Sequence, residues 1–269
     1  MIVFDGRYHA QKLEETISEA VKAGAAAPYV YLVIIQVGDN VASEKYINLK
    51  LKLCEKVGVR TKLIKIHTNL SDTEILLQIQ QVIDSPETGG CIIQMPLPRL
   101  SLNSALDLIP LSKDLDMLSS KSMFQFTSGN YQKMPPVVRS VDYFLKTNGI
   151  DLQGKSATVV GYGQVVGKPV AHFLSSLGAK VNVLDNYKTG VPLTSDLLIL
   201  SAGVPNLVNG EDISSGCAVI DFGSSIVEGK TVGDLNMHSA LGHLSNISPS
   251  PGGMGPLVVR FLVMNFLGI

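Results

Sequence analysis

Tyr46 and Lys50 stand four residues apart in a stretch, Ser43 to about Val57, whose apolar stripe reads Ile47, Leu51 and Cys54. On a helix that spacing sets the phenol and the amine side by side, on the face next to the stripe. A flat ring and an amine at the edge of a core can hold a planar heterocycle and move its protons. The same pair also suits an ordinary amphipathic helix with a snorkelling lysine. A second candidate is Gly161-Tyr162-Gly163-Gln164-Val165-Val166-Gly167. It follows a buried run and opens a helical pattern, which offers backbone N–H groups and a helix N-terminus to a pyrophosphate. Its spacing is one residue longer before the last glycine than the common dinucleotide fingerprint, and a purely structural turn has the same appearance. Asp185 follows the next strand, where an acid can bond the adenosine ribose of NAD; it also sits beside Asn186 as a turn former would. Lys188 is near enough to meet a 2′-phosphate instead.

The elements that must carry these groups alternate between short β-branched runs and amphipathic segments, the pattern of βα units around mostly parallel sheets. Strands are expected at Tyr29 to Val37, Lys62 to His67 and Gly90 to Gln94, the last stopped by Pro96 and Pro98. Ser71 with Glu74 reads as a capping box opening a helix through about Ile83. Pro110 to Pro136 lacks clean periodicity and reads as an irregular, substrate-lining segment. Val137 to Asn148 is a predicted helix closed by Gly149. Beyond Lys155 come strand Ala157 to Val160, helix Val165 to Leu177, and strands Lys180 to Leu184, Leu197 to Leu200 and Ala218 to Asp221. Leu257 to Ile269 is interrupted by Arg260 and too short to cross a bilayer, so it reads as a packed helix.

Lys and Arg number 22 against 23 Asp and Glu, so no global basic field exists to hold nucleic acid or an anionic membrane. With 45% hydrophobic and 17% charged residues the chain is an ordered, globular one. Cys54, Cys91 and Cys217 are odd in number and far apart, unlike a zinc site or a redox dithiol, and read as buried thiols of a cytoplasmic protein. The start, Met1 to Tyr8, carries Asp5 and Arg7 and lacks the pattern of a secretory signal.

Several separated motifs, taken in order, closely resemble the methylenetetrahydrofolate dehydrogenase/cyclohydrolase family. They are Asp5-Gly6-Arg7, Ser43-x-x-Tyr46-x-x-x-Lys50, Gln94-Met95-Pro96-Leu97-Pro98, Lys113-Asp114-Leu115-Asp116, Gly161-x-Gly163-x-x-Val166-Gly167-Lys168-Pro169, Gly233-Asp234 and Pro251-Gly252-Gly253-Met254-Gly255-Pro256. The resemblance implies an α/β fold of two lobes. Residues 1–137, completed by helix 252–269, would form the catalytic folate-binding domain, and residues 138–251 a Rossmann-type dinucleotide-binding domain, with folate in the cleft between. It implies oxidation of 5,10-methylenetetrahydrofolate with NADP, or with NAD because of Asp185, then hydrolysis to 10-formyltetrahydrofolate, in a homodimer that needs no metal. By the same resemblance Lys50 is the catalytic base, Tyr46 stacks on the pterin, Gln94 bonds Lys50, and Asp116 grips the pterin edge. Pro251, Gly252 and Gly253 would line the substrate. Gly161, Tyr162, Gly163, Gln164, Val166, Gly167, Asp185, Lys188, Ala202 and Gly203 would bind the cofactor. Met117 stands where the family usually has Gly, Pro136-Val137-Val138 replaces a Cys-Thr-Pro run, and Val258 replaces Thr, which alters the folate pocket. Tyr162-Gly163 and Asp185-Asn186 replace Arg-Ser and His-Ser, the usual handles for NADP. Another two-lobed dehydrogenase, or a catalytically silent dinucleotide sensor, would share part of this pattern.

Overall fold

The computed structural model describes residues 1–25, 27 and 29–269. In chain order the elements are β1 (Ile2–Val3), α1 (Gly6–Lys22), β2 (Tyr31–Val37), α2 (Val41–Val57), β3 (Thr61–Ile66), α3 (Asp72–Asp84) and β4 (Thr88–Ile93). A 3₁₀ segment (Leu100–Leu108), α4 (Ser120–Thr127), α5 (Pro136–Thr147), β5 (Ser156–Val160), α6 (Gly167–Ser176), β6 (Lys180–Leu184), β7 (Leu197–Leu200) and β8 (Ala218–Asp221) follow. After them come β9 (Ser225–Val227), β10 (Lys230–Val232), α7 (Met237–Ala240), β11 (Asn246–Ser248) and α8 (Met254–Leu267). Among the described residues no helix is long and apolar enough to cross a membrane.

Two compact units form, one of Lys12–Pro136 with Val259–Ile269 and one of Met1–Gln11 with Val137–Val258. The first holds a parallel sheet in the order β3-β2-β4. Val33, Ile35 and Val37 of β2 and Cys91 and Ile93 of β4 pack with Ile75, Ile79 and Ile83 of α3 and with the 3₁₀ segment. Alternation along the strands sends Leu32, Ile34, Gln36, Ile92 and Gln94 to the other face. α3 starts as expected, with the Glu74 amide donating to Ser71 Oγ at 3.3 Å and the Ser71 amide to Glu74 Oε2 at 2.8 Å. The stretch over 110–136, expected to be irregular, contains α4. That helix is capped by Ser119 and buries Ser122 and Phe126, so a single apolar side chain carries its buried face.

The second unit is built on a parallel sheet in the order β1-β11-β8-β7-β5-β6, with β9 and β10 as a separate antiparallel hairpin. Its strands β5, β7 and β8 are buried apolar runs, as a sheet covered on both faces requires. Met1–Gln11 falls in this unit and not with the rest of the expected 1–137 domain. The physical reason is that β1 pairs in parallel with β11, and the Ile2 and Phe4 amides donate to Ser245 and Ile247 at 2.7 Å each. Gly6 then lies so close to the backbone of Gly252 and Gly253 that a Cβ on it would sit 1.8 Å from the Gly253 carbonyl oxygen. Pro136 occupies the first turn of α5, where its missing N–H costs nothing, and Val137 and Val138 are buried.

Candidate active site

In the first unit α2 begins earlier than expected, at Val41, with Asn40 Oδ1 accepting the Ser43 amide at 3.0 Å. Gly58, at φ 81°, ends it, and the Val59 amide returns to the Cys54 carbonyl at 2.8 Å. The buried stripe is Ile47, Lys50, Leu53, Cys54 and Val57. Lys50 therefore lies inside the stripe and not beside it, with only 7% of its surface exposed. Tyr46, one turn earlier, is half-buried. A snorkelling lysine would keep its amine in water; this one does not.

Lys50 Nζ donates to Gln94 Oε1 at 2.9 Å. The amide of Gln94 is held in that sense because its Nε2 donates to the Met95 carbonyl at 2.8 Å, a carbonyl that also accepts from Ser43 Oγ at 3.2 Å. The cis Met95–Pro96 bond follows directly. Burial pushes the Lys50 amine below the ordinary lysine range, with Asp116 and Cys54 opposing that shift. Asp116, partly open to solvent, has its carboxyl pushed up by desolvation, held back by Lys50 and pushed further by Asp114. The two shifts bring an amine and an acid closer together in basicity, which favours proton exchange at the site.

The segment carrying Asp116 is pinned at several points. The Cys91 amide donates to the Lys113 carbonyl at 2.7 Å, which adds this segment to the edge of β4. Lys113 Nζ donates to the Ile83 carbonyl at 2.6 Å at the end of α3. Asp114, fully buried, accepts the Leu118 and Ser119 amides at 3.3 and 3.0 Å. Asn265 of α8 donates to the Leu115 carbonyl at 3.0 Å. Met117 stands at φ 56°, a left-handed backbone that explains why glycine is usual there, and its side chain is buried. Of the Lys-Asp-Leu-Asp motif, then, Lys113 and Asp114 serve the backbone and leave Asp116 beside Lys50.

In the second unit the glycine-rich turn lies between β5 and α6. Gly161, at φ 88°, runs within 2.6 Å, as a Cβ would meet it, of Ser201 and Ala202 backbone, and a Cβ on Gly167 would lie 2.1 Å from the Gly161 carbonyl oxygen. These two glycines are required by the turn itself. Gly163 is different: nothing lies within 4 Å of its Cβ position, and its φ is not in the left-handed region. A side chain would fit there, in keeping with the serine that the family usually carries at this position. Asp185 Oδ1 accepts the Tyr162 amide at 2.8 Å, so this carboxylate also braces the turn. Tyr162, Gln164, Asp185 and Lys188 are exposed, and Val166 precedes the first residue of α6.

Ala202 and Gly203 are fixed by Asp234, which in the sequence stands out only as half of the Gly233-Asp234 motif. Fully buried Asp234 accepts their amides at 2.7 and 3.0 Å through Oδ2. Asp221, also buried, accepts the Gly223 and Asp234 amides through Oδ1 at 2.7 and 3.1 Å and the Leu235 amide through Oδ2 at 3.0 Å. The close approach of Gly233 to Asp221, 2.1 Å for its Cβ position, explains the Gly233-Asp234 pair. Pro251, Gly252 and Gly253 form a turn whose last amide donates to the Pro249 carbonyl at 2.8 Å. Gly253 is crowded by Ser248 and Pro249, and Val258 is half-buried in α8.

Comparison with known proteins agrees with both halves of this description. Residues 4–116 match the model of the tetrahydrofolate dehydrogenase/cyclohydrolase catalytic domain, and residues 135–269 that family's NAD(P)-binding domain. The chain is 33% identical to the bifunctional protein FolD of Hydrogenobaculum sp. strain Y04AAS1, over 99% of this chain and 98% of that one. The bifunctional FolD methylenetetrahydrofolate dehydrogenase/cyclohydrolase of Campylobacter jejuni superposes with a TM-score of 0.89 at 30% identity, covering 99% and 97% of the two chains. The FolD of Trypanosoma brucei, solved with NADP cofactor and an inhibitor, also superposes at 0.89, with 27% identity over 99% and 96%. The buried lysine helix, the braced glycine-rich turn and these likenesses along nearly the whole length place the chain in the tetrahydrofolate dehydrogenase/cyclohydrolase family.

Proposed function

We propose that this enzyme oxidises 5,10-methylenetetrahydrofolate to 5,10-methenyltetrahydrofolate and hydrolyses that product to 10-formyltetrahydrofolate, with Lys50 as the base of the hydrolytic step. The observation that carries the assignment is the buried Lys50 amine held by Gln94 at 2.9 Å, with Asp116 acting on its charge. A neutral amine can take a proton from water as it adds to the methenyl carbon. Desolvation favours that neutral state, and the Gln94 carbonyl keeps the amine aimed. Asp116, in this reading, accepts the donors of the aminopyrimidine edge, while Tyr46 offers its ring to the pterin and Pro251, Gly252 and Gly253 border the substrate.

The dinucleotide, when bound, supplies the acceptor of the substrate's hydride. We assign it to the Gly161–Gly167 turn with Ala202 and Gly203, and favour NADP on the likeness to the Trypanosoma brucei enzyme solved with it. Lys188 supports that reading as the cation for a 2′-phosphate, and the Tyr162 amide partly satisfies the charge of Asp185. We also read the enzyme as a cytoplasmic homodimer. Its three free cysteines are buried, and burial pushes each thiol up to about 12, which suits inert thiols in a reducing compartment. The test is Lys50→Met, which keeps the stem and removes the proton chemistry. The variant should reduce cofactor while methenyltetrahydrofolate accumulates, with hydrolysis lower by about 10² to 10⁴. Hydrolysis at the parent rate by the folded variant would refute the role.

A further inference from the structure

Gln36 lies near the C-terminal end of β2, on the sheet face opposite the α3 cluster. It is 2% exposed, and among the described residues neither its Oε1 nor its Nε2 has a hydrogen-bond partner. Its neighbours follow from the register. Ile35 pairs with Ile93, so Gln36 and Gln94 are adjacent on this face, and the Gln94 amide N–H donates to the Ile35 carbonyl at 2.8 Å. On the other flank Gln36 pairs with Lys65 of β3, whose Nζ reaches Glu44 of α2 at 3.3 Å. The two side-chain contacts, Lys50 to Gln94 and Lys65 to Glu44, show that α2 covers this face. An unpaired amide is thus buried beneath the helix that carries Lys50, one strand from the amide that holds Lys50.

Burying an amide with nothing to bond destabilises a fold, and leucine or methionine would fill the same space without that cost. An amide here makes physical sense if it serves the site. Its carbonyl can accept from an ammonium and its NH₂ can donate to the lone pair of an amine, so it suits Lys50 in either protonation state. A carboxylate would pin the lysine charged.

We propose that Gln36 is a positioning residue for the Lys50 amine, a second neutral amide after Gln94, acting on Nζ through one bridging water. This rests on Lys50 being the base. The charged and titratable groups around the pair are Asp116, with Asp114 behind it, Cys54 on α2, and the Lys65–Glu44 ion pair at the sheet edge.

The experiment compares Gln36→Leu, Gln36→Glu and the parent by three readouts: thermal melting, the NMR titration of the Lys50 side chain, and the pH profile of methenyltetrahydrofolate hydrolysis. Gln36→Leu should stay folded and melt close to the parent, because the apolar area that leucine buries offsets the lost water-mediated bond. It should also lower the Lys50 pKa, since the ammonium loses a neutral partner, and so move the acid limb of hydrolysis to lower pH. Its maximal rate should fall about 10- to 100-fold through a loosened amine. Gln36→Glu should move the titration and the limb upward. Lys50 titration and limb unchanged in folded Gln36→Leu overturn the proposal, as does a lower melting point with activity lost only in proportion to folded protein. Lys50→Met run alongside separates the two failures. Retained hydrolysis in that variant refutes the base itself, whereas its loss together with an unmoved limb in Gln36→Leu refutes only Gln36.

Discussion

Asp221 should make the stability of the dinucleotide-binding unit fall as pH rises toward 7, against the common trend for carboxylates. Burial, and to a lesser degree the charge of Asp234, push its carboxyl up to about 7, although the Leu235, Asp234 and Gly223 amides oppose the shift. An unfolded aspartate titrates near about 3.9. Between those values the folded chain keeps a proton that the unfolded chain has lost, so folding is favoured at low pH and the advantage is given up as pH climbs. The gap of about three pH units corresponds to about 4 kcal/mol in all, or about 1.4 kcal/mol per unit. Asp221→Asn cannot ionise and should abolish this slope. At pH 5 it should be less stable than the parent by about 1–3 kcal/mol, because its amide nitrogen cannot accept the Leu235 N–H. At pH 8 the order should narrow or reverse. Urea unfolding from pH 5 to 8, followed through hydrogen exchange of the β7 and β8 amides, measures this unit separately. Groups with lowered values, such as Glu14 beside Lys56 and Arg260, slope the other way in both proteins and cancel in the difference. A parent-minus-variant difference that stays flat across this range would refute the reasoning.

Asp116→Ala should abolish folate binding while leaving dinucleotide affinity within about twofold, since its neighbours Lys113 and Asp114 carry the backbone contacts of that segment. Calorimetric titration with each ligand checks it, and parallel loss of both would mean that Asp116 supports the fold. Asp185→Asn keeps an acceptor for the Tyr162 amide and removes the charge, so the ratio of NADP to NAD affinity should rise by about 5- to 50-fold. An unchanged ratio in the two cofactor titrations would show that Asp185 braces the turn and does not face the ribose.

The buried strands were the most legible part of the sequence, because unbroken apolar runs such as Leu197–Leu200 have one physical use in a covered sheet. α1 was not legible. Its buried stripe runs through Ala10, Glu14 and Ile17, and the carboxylate at its centre is stabilised by Lys56 and Arg260, partners far away in sequence. α4 is hidden for a related reason, its buried positions being shared by a serine and a phenylalanine. In the candidate site the spacing of Tyr46 and Lys50 identified the helix but put the lysine on the wrong side of the stripe boundary. Only the register of β2 against β4, which no local pattern encodes, sets Gln94 and Gln36 under α2. Asp234 was visible as half of a motif, but its grip on Ala202 and Gly203 depends on residues about thirty positions upstream.

The pairing of β1 with β11, and of Gly6 with the Gly252–Gly253 backbone, has a consequence for how the chain is made. Each unit is assembled from two stretches of polypeptide, so no single cut of the chain yields either one intact. During synthesis Ile2 and Val3 must wait for Asn246 and Ile247 before they can join a sheet, and the unit of Lys12–Pro136 must wait for Val259–Ile269. Contacts so distant in sequence close slowly, and until they close the edge of β11 and the surface that α8 covers stay open to other chains. The protein should therefore depend on protection during synthesis more than two domains strung one after the other would.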